Sequence, residues 1–157
     1  FENPIIPGTR VHSTLSNQLA LFVVLYSPLQ MACDKIENYE KHPAEFQFLR
    51  DVPCDWEQSR LLDGNIGQYV VMARQDRHSE DWYIGAITNE EPREITIPLS
   101  FLGDGEWIAT IYADAPDADW KTNPYATTIE TRPVSATEEI KIHLASGGGS
   151  AIRFVKR

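Results

Sequence analysis

One stretch constrains this chain more than any other: Leu19-Ala20-Leu21-Phe22-Val23-Val24-Leu25-Tyr26, apolar at every position. Leu15, Leu19, Phe22, Val23 and Tyr26 recur at i, i+4, i+7, i+8 and i+11, which is helical spacing, and Ser13 or Thr14 can cap the start. A surface helix keeps a polar face, whereas one that is apolar all round must be buried on all sides. The first third of the sequence holds nothing else apolar enough to bury it. The stretch therefore reads as a core piece of a larger domain whose other parts lie outside this sequence. Left uncovered, such a helix packs over its own neighbours or pairs with another copy. Self-association through Leu15–Met31 is expected.

Pro28 biases Ser27 away from the α region and should end the helix there. Leu29–Cys33 is then a short, nearly all-apolar run closed by Asp34, the pattern of a buried parallel strand. Lys35–His42 is a polar loop. Pro43 suits the first position of a second helix carrying Phe46, Phe48 and Leu49, and Asp51-Val52-Pro53 stops it. Helix, strand, helix is the order in which a parallel α/β domain would end. Residues 1–8, with two prolines and a glycine, read as an extended entry segment.

The pattern changes near Pro53 to Arg60. Beyond it, alternation with a period of two predicts strands over Gln68–Arg74, Asp81–Thr88, Arg93–Ile97, Gly105–Asp114, Thr127–Thr131, Ile140–Leu144 and Ala151–Val155. Turns are expected at Asp63-Gly64, Gly103-Asp104-Gly105 and Gly147-Gly148-Gly149. Short strands at such spacing predict a sandwich. The expected fold is thus mainly β: an antiparallel β-sandwich over residues 57–157, preceded by an αβα unit over residues 1–56.

A chain of 157 residues can hold one ordinary core. A net charge of −9 argues against nucleic acid and against anionic membranes as partners. The apolar run is too short to span a bilayer. Two cysteines, Cys33 and Cys54, make neither a disulfide framework nor a zinc pattern, and are expected to be buried and reduced. Residue 1 is Phe, as in a processed, cloned or truncated product, so any targeting signal would lie upstream.

Asp34 is the best candidate for chemistry, because a carboxylate at the C-terminal end of a barrel strand faces a substrate site. The bland alternative is a solvated loop residue or a helix cap. Asp114, Asp117 and Asp119 could collect a hard cation, but lack the glycine and distal glutamate of an EF-hand loop and read instead as a solvated acidic loop. Gly147-Gly148-Gly149-Ser150 has no following lysine, so it reads as a flexible connection and not a phosphate loop. Trp82, Tyr83, Trp107, Trp120 and Tyr125 could stack on sugars, though on alternating strands Trp82 and Trp107 belong in the core. His12, His42, His78 and His143 show no nucleophile or metal spacing.

Three long blocks resemble a known family. They are Gly8-Thr9-Arg10 with the run from Asn17 to Asp34; Asp51-Val52-Pro53-Cys54-Asp55-Trp56 with the run from Leu62 to Val70; and Trp82-Tyr83-Ile84-Gly85-Ala86-Ile87-Thr88-Asn89. Leu144-Ala145-Ser146-Gly147-Gly148-Gly149 also fits. Together they resemble the C-terminal end of glycoside hydrolase family 97, whose members are retaining or inverting α-glycosidases, typically calcium-dependent α-glucosidases or α-galactosidases. The resemblance implies an N-terminal β-sandwich, a catalytic (β/α)₈ barrel and a C-terminal β domain, of which this chain holds the barrel's end and the last domain. It implies catalytic carboxylates and calcium ligands before Phe1, so no catalytic residue and no metal ligand is assigned in this chain. Glycoside cleavage needs two positioned carboxyl groups, and Asp34 alone supplies one, as a substrate contact at most. The implied partners are the remainder of the barrel and the parent's oligosaccharide substrate. The implied location is periplasmic or secreted, in a bacterium. The rival expectations are a carbohydrate-binding module using exposed loop aromatics, and a protein-interaction sandwich.

Overall fold

Residues that alternate between two environments build the strands, and in the central strands both environments are largely interior. The structure, a computed structural model, describes residues 10–157. Eight strands form: β1(Trp56–Asn65), β2(Tyr69–Asp76), β3(Trp82–Thr88), β4(Arg93–Pro98), β5(Trp107–Asp114), β6(Thr127–Val134), β7(Glu139–Leu144) and β8(Gly149–Lys156). Six make one antiparallel sheet in the order β1-β2-β3-β8-β5-β6, and β4 pairs with β7 as a second sheet. Trp82, Ile84, Trp107, Ala109, Ile152 and Phe154 point from the large sheet onto Ile95, Ile97, Ile140 and Ile142 of the small one. A slip of one residue in any of these strands would turn this set out of the core, so the register is strongly fixed.

The opposite face of the large sheet is covered by helices. α1(Leu15–Val24) lies across β3 and β8. With Phe48 of α3(Pro43–Asp51), its residues Leu19, Ala20 and Val23 bury Trp56, Tyr83, Tyr112 and Ala151 in a second core. Glycine permits this close approach. A Cβ on Gly85 would stand 2.5 Å from the Ala20 carbonyl oxygen, and one on Gly149 2.5 Å from the Asn17 Cα. Both ends of α1 are tied. Thr14 Oγ1 accepts from the Asn17 amide at 3.2 Å. At the other end Arg74, buried on β2, donates to the carbonyls of Val23 at 2.6 Å and Val24 at 3.2 Å. Helix ends leave such carbonyls unpaired, and a cation there also complements the helix dipole. α3 is held by the Tyr83 hydroxyl, which donates to the Asp51 carbonyl at 2.9 Å. Arg153 bridges Asp51 at 2.7 Å and Asp81 at 3.0 Å.

The expected strands from Gln68 onward appear, each with ends within three residues of those read from the sequence. Five local expectations are corrected. The first helix stops at Val24, short of Ser27. Residues 29–33 form no strand: Leu29 and Met31 are each 71% exposed, because no parallel neighbour is present to take their backbone hydrogen bonds. The αβα order is therefore not formed among the described residues, and the polar loop contains a short helix, α2(Ile36–Tyr39). Asp63 and Gly64 lie inside β1, at a shift in its register, and the turn falls at residues 66–68 with Gly67 at φ 77°. Cys33 is exposed and Cys54 half-buried, both free thiols. The entry segment 1–8 lies outside the described residues. No helix among the described residues is long and apolar enough to cross a membrane.

Candidate functional site

Asp34 follows the exposed segment and carries no strand behind it. Its Oδ1 accepts from Asn38 Nδ2 and from the Lys35 amide, both at 2.7 Å. These bonds, Asn38 first, hold its carboxyl below the ordinary value. The group is solvated and its hydrogen bonds are local, to the residues that lead into and line α2. No group of three His, Cys, Asp or Glu side chains among the described residues is placed to hold a metal ion.

The acidic run divides into two roles. Asp119 Oδ1 accepts from the amides of Thr122 and Lys121 at 3.0 and 2.8 Å, while Asp117 Oδ2 accepts from Asn123 Nδ2 at 3.0 Å. Both close a surface loop on itself, as a solvated loop should. Asp114 departs from that expectation. It ends β5, is buried, and its Oδ2 accepts from the amides of Ala145 and Gly149 at 2.9 and 2.8 Å. Burial pushes its pKa up, against the nearby Thr14 hydroxyl, the two amides and the Ser16 hydroxyl, which favour the ion. Asp114 Oδ1 and Ser16 Oγ nevertheless make no well-formed hydrogen bond. The glycine run is accordingly a buried clamp and not a flexible connection. Asn17 Nδ2 donates to the Gly148 carbonyl at 2.8 Å, which fastens the start of α1 to the same turn.

Trp82 and Trp107 are core residues, as expected, and Tyr83 is buried beneath the helices. Trp120 packs against His12 with ring centroids 4.3 Å apart, and Lys121 and Arg10 lie over the same ring. Tyr125 stacks on His42 at 5.2 Å. These loop aromatics are spent on contacts within the chain. Arg74 and Gly85, which position α1, were not singled out in the sequence. An arginine directly after the apolar run Tyr69–Ala73 is the only mark the first one leaves.

The most conspicuous surface is the stretch after α1. Leu25, Tyr26, Leu29, Met31 and Ile36 are all exposed within twelve residues. Beside them a cleft of about 190 Å³ opens between Phe22, Ala32, Phe46, Leu49 and Val52. Exposed apolar groups this dense make a patch of the kind that interaction sites present.

Two antiparallel sheets, a helix layer on one face and an uncovered apolar strip beside it define a helix-covered β-sandwich domain. A family model described as "Glycosyl-hydrolase 97 C-terminal, oligomerisation" matches residues 55–155. The chain belongs to this family. It is similar to a retaining alpha-galactosidase of Bacteroides thetaiotaomicron, with 38% identity over 98% of this chain and 22% of the relative. A probable retaining alpha-galactosidase of Streptomyces bingchenggensis is 28% identical over 87% of this chain and 20% of its own length. Among solved structures, a Glycoside Hydrolase Family 97 enzyme from Pseudoalteromonas sp. strain K8, in complex with acarbose, superposes with a TM-score of 0.92 and 49% identity. That match covers 94% of this chain and 23% of the enzyme. A beta-arabinopyranosidase gives 0.76 and 26% over 94% and 22%. The chain spans about a fifth of the length of the curated relatives it matches.

Proposed function

We propose that this chain is the C-terminal portion of a family-97-type α-glycosidase and that its own work is structural. The observation that carries this reading is the exposed strip from Leu25 to Ile36 beside helices already fastened to the sandwich. In the parent, the strip would meet the remainder of the barrel, with residues 1–56 ending that barrel and residues 57–157 forming the last domain. Residues 29–33 would gain there the parallel neighbours that a strand needs. Asp34 would then stand at a strand end, as a contact for the parent's oligosaccharide. The two carboxyl groups of the reaction, and calcium, would belong to the upstream barrel, in an enzyme acting in the periplasm or outside a bacterial cell. In the chain by itself the same strip stays bare and pairs with a second copy through Leu15–Met31, chiefly through Leu25, Leu29 and Met31, since Leu19 and Val23 face inward. The test is hydrolysis of aryl α-galactosides and α-glucosides by the 157-residue chain, with and without calcium. No turnover is expected. Turnover that disappears in Asp34→Asn would overturn the structural role.

A further inference from the structure

The family match spans residues 55–155 and leaves out Leu15–Met31. The matched span is the sandwich itself. Within that span the large apolar side chains left exposed are Leu61, Ile66, Tyr125, Ile129 and Val155. Leu61 and Ile66 share the β1–β2 hairpin at one edge of the large sheet. Ile66 stands wholly in solvent at the first position of the turn. Turns favour Gly, Asn, Asp or Ser, and Gly67 already supplies the left-handed residue. The backbone has no need of isoleucine at position 66, and a local rule broken without local gain points to function. Beside Ile66 an open groove of about 410 Å³ runs over Leu61, Tyr69, Val70 and Ile87. None of its eleven lining residues is charged, in a chain of net charge −9.

We propose that this hairpin is an interface with a second copy of the chain: Ile66 of each copy seats in the groove of the other. Knob and groove lie side by side on one hairpin, so a two-fold axis satisfies both contacts at once. The groove lining is uncharged, with Arg93 and Asp63 of opposite sign at its Tyr69 side, so two strongly acidic copies can meet there with little repulsion. The contact is made by side chains and not by extension of the sheet. β1 shifts register between Leu61 and Asp63 and carries Glu57, Arg60 and Asp63, features that discourage edge-to-edge pairing. The proposal rests on the assembly role given above but uses a different surface, because in the parent the Leu15–Met31 strip would be covered.

Sedimentation velocity of the full chain at tens of micromolar tests it, with Ile66→Asp, Ile66→Val, the pair Leu29→Ser and Met31→Ser, and all three polar changes together. All three side chains are exposed, so the urea midpoint serves as a check on folding. Ile66→Asp should step the assembly down, raising the hairpin dissociation constant at least about tenfold, while Ile66→Val keeps it. The triple variant should be monomeric. If Ile66→Asp leaves the species unchanged and the Leu29, Met31 pair reduces it, the hairpin interface is wrong and the strip reading stands. If Ile66→Asp alone yields monomer and the pair has no effect, the hairpin stands and the strip falls. If the unsubstituted 157-residue chain is monomeric, both are overturned.

Discussion

Arg74 Nε lies 2.6 Å from the carbonyl oxygen of Val23, so a strand residue closes the C-terminal end of a helix 51 positions earlier. α1 has no basic residue in its own last turn. Burial lowers the Arg74 pKa, yet leaves it charged at any physiological pH. Arg74→Met keeps most of the packing and removes the charge-assisted bonds, each worth roughly 1.5–3 kcal/mol. The urea midpoint should fall by a corresponding amount, with Arg74→Lys in between. An unchanged midpoint would mean that α1 is held by apolar burial alone.

Gly85 sets the distance between α1 and the sheet. In Gly85→Ala the new methyl group meets the Ala20 carbonyl at 2.5 Å and the Val23 Cβ at 2.9 Å, so α1 must lift. Overpacking of this kind costs roughly 1–3 kcal/mol. The gain from a stiffer unfolded chain, about 0.4–1 kcal/mol, offsets only part of it. Thermal unfolding should shift down, and near-ultraviolet dichroism from Tyr83 and Tyr112 should weaken. A stabilised variant would show that the helix is not seated as closely as described.

Asp114 carries a pH signature. Its pKa is raised by burial, so the folded chain binds the proton more tightly than the unfolded one. The stability this contributes is fully present below the unfolded value, near pH 4, and is lost as pH rises through the folded value. Asp114→Asn keeps an oxygen for the amides of Ala145 and Gly149 and has no proton to lose. The unfolding free energy of the native chain minus that of Asp114→Asn should therefore decline between about pH 4 and pH 7. A difference that grows over that range would mean the hydrogen bonds, and not burial, dominate. Asp114→Ala leaves both amides without an acceptor and should cost about 1–3 kcal/mol at either end of the range.

The sandwich was legible because both faces of its central strands are spoken for. Alternation of Trp82, Ile84 and Ala86 against Tyr83, Gly85 and Ile87 reads clearly even though both sets are inside. β1 was not legible: Glu57 to Arg60 lie exposed along an edge strand, where no burial imposes alternation. Leu29–Cys33 was read as a buried strand from its apolar run, but a strand also needs neighbours, and the described chain offers none. The apolar run itself pointed to the candidate surface, since more of it is apolar than one sheet face can cover. Asp114 reads from the sequence as part of a solvated acidic loop, whereas it ends β5 and is buried. Its partners, Ala145 and Gly149, are 31 and 35 residues away, and nothing local announces them.

The central claim is that α1 is part of the sandwich core, while the segment after it is left uncovered among the described residues. Amide hydrogen exchange, followed at concentrations low enough to keep the chain dissociated, measures both halves at once. The account predicts that amides from Leu19 to Val24 exchange as slowly as those of β3 and β8, and that those from Leu29 to Ile36 exchange almost freely. Fast exchange along α1, or strand-like protection over Leu29 to Cys33, would contradict it.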